Sequence, residues 1–259
     1  IDANKLCEGY YLQPKYPKID PATEDQLPVT VKSDEASFIS KGTSEFTGKV
    51  VASQGTKFIY ASKAEVAHNP QSGELESITA IGDVRIMQPN LRVDGSKAVA
   101  DIPEDRKVIN NAVYRIYDRH ARGIAETLVI DGKTKMNLKD STYTTCAPDS
   151  NAWYLKASRT EFNRETGRAQ AWDAKLYVKD TPIFYWPYVN FPIDKRRQTG
   201  FLQPSLENST RNGSTLIAPF YWNMAPNYDF TIRSNYMSKR GFKFDTKTRY
   251  LTKDRKSVV

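Results

Sequence analysis

The chain has 259 residues, a mean hydropathy of −0.62 and 26% charged residues, which is the composition of a globular protein and excludes a disordered or collagen-like chain. No apolar stretch approaches the roughly 18 residues of a membrane-spanning helix, whereas a membrane β-strand needs only about 10 alternating residues. Helical spans are therefore excluded and a β-barrel is not. The first residues lack the basic and apolar regions of a signal peptide, so we expect that any such peptide is absent or has been removed.

The net charge of +8 is unevenly distributed along the chain. Residues 1–194 contain 25 Lys and Arg against 26 Asp and Glu, a net charge of −1, whereas residues 195–259 contain 13 against 4, a net charge of +9. The basic character therefore belongs to the last part of the chain. Because the larger N-terminal part has no excess of cations, we do not expect it to bind nucleic acid.

An internal repeat organises the first part of the chain. Residues 48–66 align with residues 82–100 at a constant offset of 34, which superposes Gly48 on Gly82 and Ala64 on Ala98, and looser copies follow further along the chain. Within each copy apolar and polar residues alternate strictly, and Gly, Pro and Asn clusters separate the segments. This pattern predicts short half-buried β-strands joined by turns, stacked as a jelly roll or a solenoid with open ends.

One apolar face of these strands is the predicted interior. Its residues either fill a core or line a trough that holds a ligand, and the pattern alone favours the core. A stack of strands also exposes an edge, which we place at residues 29–40, where charges blunt it or another protein's strand pairs with it. The predicted interior residues are Phe46, Val50, Phe58, Val84, Ile86, Leu91, Val93, Val113, Ile116, Leu128 and Ile130.

Residues 181–192 hold three prolines and five aromatic residues in twelve positions. Proline interrupts helices and fits poorly in a central strand, so we predict a rigid connector, which is either an interdomain linker or the aromatic girdle of a membrane domain. After Gly200 the sequence falls into segments of about 10 residues separated by turns, as in a membrane β-barrel. Since four such strands cannot close a barrel, which needs about eight, we expect the sequence to be a fragment.

Residues with catalytic chemistry are scarce. The two histidines, His68 and His120, have no partner at metal-ligand spacing, so we predict no catalytic residue, no metal and no cofactor. Asp83, Asp94 and Asp101 could line a groove, as in a β-solenoid enzyme acting on polysaccharides, but such charges are typical of a solvated face. An enzyme is therefore not expected.

The two cysteines are separated by about 140 residues in sequence. In a repetitive all-β chain with barrel-like strands, they are compatible with an oxidising periplasm, where disulfides persist. Cys7 and Cys146 could pair with each other or with cysteines in a missing part of the protein, and the sequence leaves both alternatives open.

Three motifs make the chain resemble a known family. Residues 143–162 (YTTCAPDSNAWYLKASRTEF), residues 182–206 (PIFYWPYVNFPIDKRRQTGFLQPSL) and residues 219–231 (PFYWNMAPNYDFT), followed by SKRG, are similar to the LptD (OstA) family of LPS-assembly proteins. The resemblance covers essentially the whole chain. It implies an all-β protein in which a periplasmic β-jellyroll, an open β-stack, precedes the first antiparallel strands of a transmembrane β-barrel.

The resemblance also implies a domain plan and a function. The plan is an N-terminal segment with Cys7 at 1–28, the jellyroll at 29–180, the connector at 181–198 and the first barrel strands at 199–259. The implied function is transport of lipopolysaccharide (LPS) from a periplasmic bridge into the bacterial outer membrane. The implied partners are LPS, an LptA-type bridge protein docked on the jellyroll, an LptE-type lipoprotein plug and the barrel-assembly machinery.

The resemblance assigns roles to individual residues. Cys7 and Cys146 match two cysteines that are each bonded to a C-terminal cysteine, which this sequence lacks, so here they are free, paired with each other or bonded to an absent part. Pro204 and Pro219 match prolines of the first two barrel strands. Each removes a ladder N–H and weakens the seam, which then serves as a lateral gate. The interior residues named above are expected to contact the acyl chains.

Two other classes of protein remain as alternatives to this assignment. One is a soluble periplasmic LPS bridge of the same jellyroll type, against which residues 181–259 argue, because a bridge needs neither an aromatic connector nor barrel strands. The other is the β-solenoid polysaccharide enzyme.

Overall fold

The computed structural model describes residues 12–16, 19, 21–24, 27–39, 41–117, 120–148, 150–193, 196–202, 205–251 and 256–258. Apart from one helical turn, α1 (Pro21–Glu24), the regular structure of these residues consists of β-strands, which confirms the all-β class. No helix in the described part is long and apolar enough to cross a membrane.

The first sheet contains twelve strands, in which consecutive strands are neighbours from β3 to β12, while β1 and β2 both pair with β3. The strands pair antiparallel from β1 to β10. Their bounds are β1 Thr30–Lys32, β2 Glu35–Ser37, β3 Thr43–Gln54, β4 Lys57–His68, β5 Leu75–Gln88, β6 Leu91–Asp101, β7 Arg106–Ile116, β8 Ala121–Asp131, β9 Lys135–Tyr143, β10 Trp153–Asn163, β11 Arg168–Val178 and β12 Thr181–Pro192.

The second sheet contains six antiparallel strands in the order β13, β15, β16, β17, β18, with β14 also paired to β15. In the described residues neither sheet closes on itself. Turns separate these strands at the predicted positions after Gly200. Their bounds are β13 Gly200–Phe201, β14 Ser205–Ser209, β15 Gly213–Ala225, β16 Tyr228–Met237, β17 Gly241–Leu251 and β18 Lys256–Val258.

The chain divides into two compact units. Among the described residues, the N-terminal unit contains those up to residue 163 together with 171–188, and the C-terminal unit contains 164–170 and those from 189 onward. The predicted domain limits differ from these bounds, because the start of β11 and the end of β12 belong to the C-terminal unit.

A line of bends crosses the N-terminal sheet. Alternate strands each contain a residue with positive φ near their middle, and two of these residues follow the equivalent glycines of the repeat, Gly48 and Gly82, which also have positive φ. The pairing register shifts beside both glycines. Such bulges bend a strand and re-aim its side chains. The bend residues are Lys49, Asp83, Asn111, Asp140 and Asp173.

Serines on neighbouring strands bind these bends. Ser96 Oγ lies 3.3 Å from the carbonyl oxygen of Asn110 and 3.0 Å from Nδ2 of Asn111, which donates to it. Ser158 Oγ donates to Oδ2 of Asp173 at 2.9 Å. Each of these serines is followed by a cation, as is Ser62 in the first copy of the repeat, so part of the repeat signal encodes the bend.

One row of inward side chains runs across eight strands. The registers place its members directly opposite one another from β3 to β10, with alanines in β4 to β6 and larger apolar residues in β7 to β9. We call the side of the sheet that carries this row the interior face. The row consists of Phe46, Ala64, Ala80, Ala98, Ile109, Leu128, Leu138 and Thr160.

The opposite side of the same sheet carries the charges. Lys63 Nζ lies 2.6 Å from Glu45 and 2.9 Å from Glu65, and Lys139 Nζ lies 2.9 Å from Glu126. These side chains are in contact with solvent, and such surface pairs contribute little to stability. Their position therefore marks the solvent side more than it stabilises the fold.

The predicted connector is not an irregular linker, because residues 181–192 form β12, the last strand of the N-terminal sheet. Pro182 and Pro192 lie at its two ends, and Pro187 lies in its interior. A strand at the edge of a sheet tolerates prolines because one side of it carries no ladder. The prediction excluded a central strand correctly but overlooked an edge strand.

Replacing Gly82 by alanine tests the bends. Gly82 has φ +73°, and an added Cβ would lie 3.0 Å from Ser62 Oγ and 3.1 Å from Ser62 Cβ. We expect Gly82→Ala to lower the free energy of unfolding by about 1–2 kcal/mol, measured by urea denaturation with tryptophan fluorescence. Gly132→Ala is the control for backbone strain alone, because its Cβ would meet nothing closer than 3.9 Å. An unchanged midpoint for Gly82→Ala would contradict this role.

Candidate functional site

The interior face is the first part of the candidate site. Nine of the eleven predicted interior residues lie on it, and Val84 and Val93 each expose only 1% of their surface. Val93 and Val84 belong to two clusters of buried residues, and Ile86 and Ala98 pack against both clusters, so the face is one continuous apolar surface. The nine residues are Phe46, Val50, Val84, Ile86, Leu91, Val93, Ile116, Leu128 and Ile130.

The other two predicted interior residues were assigned to the wrong face. Val113 is 39% exposed, because it alternates with Ala112 and Tyr114, which are buried at 1% and 7% exposure. The left-handed conformation of Asn111 interrupts the alternation just before it.

Phe58 lies on the charged side for a related reason. It stands opposite Met87, which in turn stands opposite Arg92, and it stacks on Tyr60 at 6.4 Å between ring centroids. Ala61, three residues further along β4, is buried at 7% exposure, so Ala61 and Phe58 lie on opposite sides of the sheet.

Small and aromatic residues on the interior face were missed by the sequence analysis. Ala64 and Ala80 are buried in the inward row, and an alanine side chain leaves more room above the sheet than a leucine does. The repeated Ala in the aligned segments was the available signal, because it recurs at the same offset as the glycines. Large apolar residues were given preference, and the alanines were overlooked.

Tyr114 forms the polar end of the interior face. Its hydroxyl donates to the carbonyl oxygen of Thr142 at 2.6 Å, and burial, followed by the nearby Tyr143, raises the pKa of Tyr114. Gly123 lies opposite, and a Cβ there would come within 1.9 Å of the same carbonyl oxygen. The glycine is therefore required for the tyrosine to cross the neighbouring strand.

An arginine and aspartate network lies on the charged side, directly behind Val93. Asp94 accepts from Nε of Arg85 at 2.9 Å and from Nε of Arg92 at 2.8 Å. Burial tends to raise the pKa of Asp94, but the hydrogen bonds from Arg92 and Arg85 outweigh it and lower that pKa. Adjacent residues of β6 thus face opposite environments, one apolar and one ionic.

The predicted edge at residues 29–40 is confirmed as an edge. β1 and β2 pair only with β3, and every residue of both strands is exposed. Exposed apolar side chains flank them, with Val29 at 64% and Phe38 at 72% exposure. The edge therefore offers both free backbone groups and apolar contacts.

The C-terminal sheet has one mainly apolar face and one mainly polar face. One face is apolar and open, with Phe242 at 71% and Phe244 at 65% exposure. The registers align these side chains across β15, β16 and β17 and align the polar residues on the other side. The apolar face consists of Leu216, Ala218, Phe220, Trp222, Phe230, Ile232, Tyr236, Phe242, Phe244 and Tyr250, and the polar face includes Tyr221, Asp229, Thr231, Arg233, Asn235, Lys243, Asp245, Lys247 and Arg249.

Pro219 interrupts the ladder at the start of this sheet. β13 ends its pairing at Phe220 and β14 begins its pairing at Ile217, so within the described residues neither strand is paired with the two positions between them. The N–H of Leu202 donates to the carbonyl oxygen of Pro219 at 2.9 Å. The N and O of one residue point to the same side of a strand, so a residue at this position would normally donate its own N–H to the carbonyl oxygen of Leu202. Proline has no N–H, so this second hydrogen bond is missing at Pro219. Pro204 lies outside the described residues.

Cys146 lies in a loop that one arginine organises. It is fully buried and disulfide-bonded, which excludes a free thiol at this position, and the only other cysteine, Cys7, lies outside the described residues. Arg122 donates to the carbonyl oxygens of Cys146 and Ala147, both at 3.1 Å, and of Ser150 at 2.8 Å. One guanidinium group thus joins three carbonyl oxygens of the loop to β8. Within the described residues, no group of three or more His, Cys, Asp or Glu could hold a metal ion.

Comparison with known proteins places this architecture in a class. One family model, LptA/(LptD N-terminal domain) LPS transport protein, matches residues 30–168, and a second, LptD protein, matches residues 171–255. The first match alone covers more than half of the chain. By its description, the first family consists of LPS transport proteins.

Curated relatives and one solved structure are also similar to this chain. The LPS-assembly protein LptD of Pseudomonas putida (strain W619) is 37% identical over 254 residues, which are 97% of this chain and 27% of the relative. That of Coxiella burnetii is 34% identical over 262 residues, 95% of this chain and 30% of the relative. LptH, the LptA homologous periplasmic component of the lipopolysaccharide transport device of Pseudomonas aeruginosa, is 17% identical with a TM-score of 0.39, over 50% of this chain and 90% of that one.

The chain belongs to the LptD family, and it spans between a quarter and a third of the length of the curated relatives it matches.

Restoring the missing N–H tests the role of Pro219. We expect Pro219→Ala to add one hydrogen bond toward Leu202 and to strengthen this seam by about 1 kcal/mol. Hydrogen exchange of the Leu202 amide should slow accordingly, as measured by mass spectrometry or NMR. Pro226→Ala, in the turn between β15 and β16, is the control and should leave the exchange of Leu202 unchanged. Equal or faster exchange in Pro219→Ala would be incompatible with a weakened seam.

Proposed function

We propose that this chain transports lipopolysaccharide without any chemical step. The acyl chains lie along the interior face of the N-terminal unit, and the sugars remain at an open end in water. The observation that carries this proposal is the continuous apolar surface formed by the inward row together with Val84, Val93 and their neighbours. A lipid with several acyl chains needs such a surface to be shielded from water.

The second part of the proposal concerns the C-terminal unit. Its exposed apolar face is suited to the hydrocarbon of the outer membrane, and its polar face is suited to the aqueous lumen of a barrel. The weakened pairing at Pro219, together with Pro204, would let the seam part sideways. Acyl chains would leave through this lateral gate while the sugars pass through the lumen.

The proposed location and partners follow from these surfaces and from the family. The complete protein would lie in the outer membrane with the N-terminal unit in the periplasm. An LptA-type bridge protein would extend the sheet at the exposed edge of β1 and β2. An LptE-type plug and the barrel-assembly machinery would act on the barrel. The work of moving the lipid must come from outside this chain.

A soluble bridge protein is the nearest alternative. It is disfavoured because Tyr236, Phe242 and Phe244 expose large aromatic surfaces side by side, and a soluble monomer rarely exposes a contiguous apolar patch of this kind.

Two adjacent residues of β6 provide a matched test of the interior path. Ala98 belongs to the inward row, whereas Lys97 is exposed and points the other way. We expect Ala98→Phe to obstruct the path and to reduce surface LPS per protein molecule by about tenfold, since an interior face cannot absorb so large a side chain. Lys97→Phe should stay within about twofold of the native protein because its side chain meets water.

The readout of this test is surface LPS, measured in cells and divided by the amount of protein in the outer membrane, so that a folding defect is not counted as a transport defect. Equal effects of the two substitutions, or none from Ala98→Phe, would refute the interior path.

A further inference from the structure

A basic cavity lies on the polar face of the C-terminal sheet. Its volume is about 430 Å³. Four of its lining residues are cations, and the others are apolar or neutral polar residues. The lining residues are Pro192, Arg196, Arg197, Gln198, Leu202, Tyr221, Thr231, Lys247 and Arg249.

One buried carboxylate holds two of these guanidinium groups. Asp229 is only 3% exposed, and its Oδ1 accepts from Nε of Arg249 at 2.7 Å while its Oδ2 accepts from Nη2 of Arg249 at 3.0 Å. Nη2 of Arg197 donates to the same Oδ2. Two like charges are thereby kept side by side by a single opposite charge.

Further contacts orient the two arginines. Nε of Arg197 donates to the hydroxyl of Tyr221 at 3.0 Å, and its Nη1 donates to the carbonyl oxygen of Pro226 at 2.7 Å. The guanidinium carbon of Arg249 lies 6.0 Å from the centre of the Tyr221 ring. Both guanidinium groups keep N–H groups that these contacts do not use, because each has five. Their side chains remain 46% and 45% exposed.

Lys247 adds a third cation to the same cavity. It stands opposite Thr231 in the ladder, and no carboxylate of the described residues lies within 4 Å of its ammonium group. Lys243 on the same strand and the same face differs, because its Nζ lies 2.8 Å from Asp245. Counting Arg197, Lys247 and Arg249 against Asp229, the cluster carries a net charge of +2.

We propose that this cavity binds a phosphomonoester carried on a sugar. A phosphomonoester has a charge of about −1.5 to −2 near pH 7 and three acceptor oxygens, which match the net charge and the forked donors of the cluster. A bare anion would leave most of the cavity empty, whereas a phosphorylated sugar has the size of ligands that such pockets hold. The neutral polar groups of Gln198 and Thr231 are suited to sugar hydroxyls.

This inference rests on the proposed function, because the saccharide part of the transported lipid would bring the phosphate to the polar face. It adds a fixed contact for the headgroup in a part of the protein that the acyl-chain path does not involve.

The test compares Lys247→Gln with Lys243→Gln in the full-length protein. Each variant is purified in a neutral detergent together with the LptE-type plug. The probes are lipid A with its phosphates, the same lipid A after phosphatase treatment, and inorganic phosphate as a competitor. We expect Lys247→Gln to weaken binding of phosphorylated lipid A by about tenfold and to leave the dephosphorylated lipid unaffected. Lys243→Gln should behave as the native protein.

The competitor separates the two sources of phosphate. If millimolar inorganic phosphate does not displace the phosphorylated lipid, the site recognises phosphate on its sugar; if it does, the site recognises the phosphate group alone. Unchanged binding in Lys247→Gln, or the same loss in Lys243→Gln, would overturn the inference while leaving the transport proposal intact. Failure of both lipids to bind the native protein would overturn both.

Discussion

The alternation of apolar and polar residues along each strand is the constraint on which both units depend. A strand places successive side chains on opposite faces, so a sheet built from such strands always has one apolar side that water must not reach. In the N-terminal unit that side is covered, and Val84 and Val93 lose almost all contact with solvent. In the C-terminal unit it stays open, as Phe242 and Phe244 demonstrate. One sequence pattern therefore forms a buried interior in one unit and an exposed apolar face in the other.

The bends determine what the covered side can do. Strict alternation across twelve strands produces a sheet but does not bend its strands. Positive-φ residues in alternate strands supply that bend, and Gly48 and Gly82 permit it at the two sites of closest repetition. Ser96 and Ser158 connect the later bends to the neighbouring strands by hydrogen bonds. The interior face thus depends on the line of bends as much as on its apolar residues.

Much of this organisation could be predicted from the sequence, and the errors have physical causes. The all-β class, the edge strands and the alternation of β17 follow from period-two patterning and turn residues. Val113 was placed on the wrong face because a single left-handed residue resets the alternation, and sequence does not reveal a left-handed asparagine. β12 was overlooked as a strand because the tolerance of an edge for proline depends on which neighbours are absent.

Long-range contacts were beyond the reach of pattern analysis. Nothing near Asp229 in the sequence indicates that Arg197 and Arg249 meet there, because strand register and a preceding loop bring them together. The gap in pairing at Pro219 has the same origin, although the proline itself was singled out. The hydrogen bond from the N–H of Leu202 to the carbonyl oxygen of Pro219 can be seen only in the structure.

The measurement that tests the central claim most directly places a photo-crosslinking residue at Val93 and, separately, at Arg92 in the full-length protein in cells. Val93 is buried on the interior face, and Arg92 lies behind it, paired with Asp94. The account predicts lipopolysaccharide adducts at Val93 and none at Arg92. Adducts at neither position, or equally at both, would contradict it, and the interior would then be a filled core that carries no lipid.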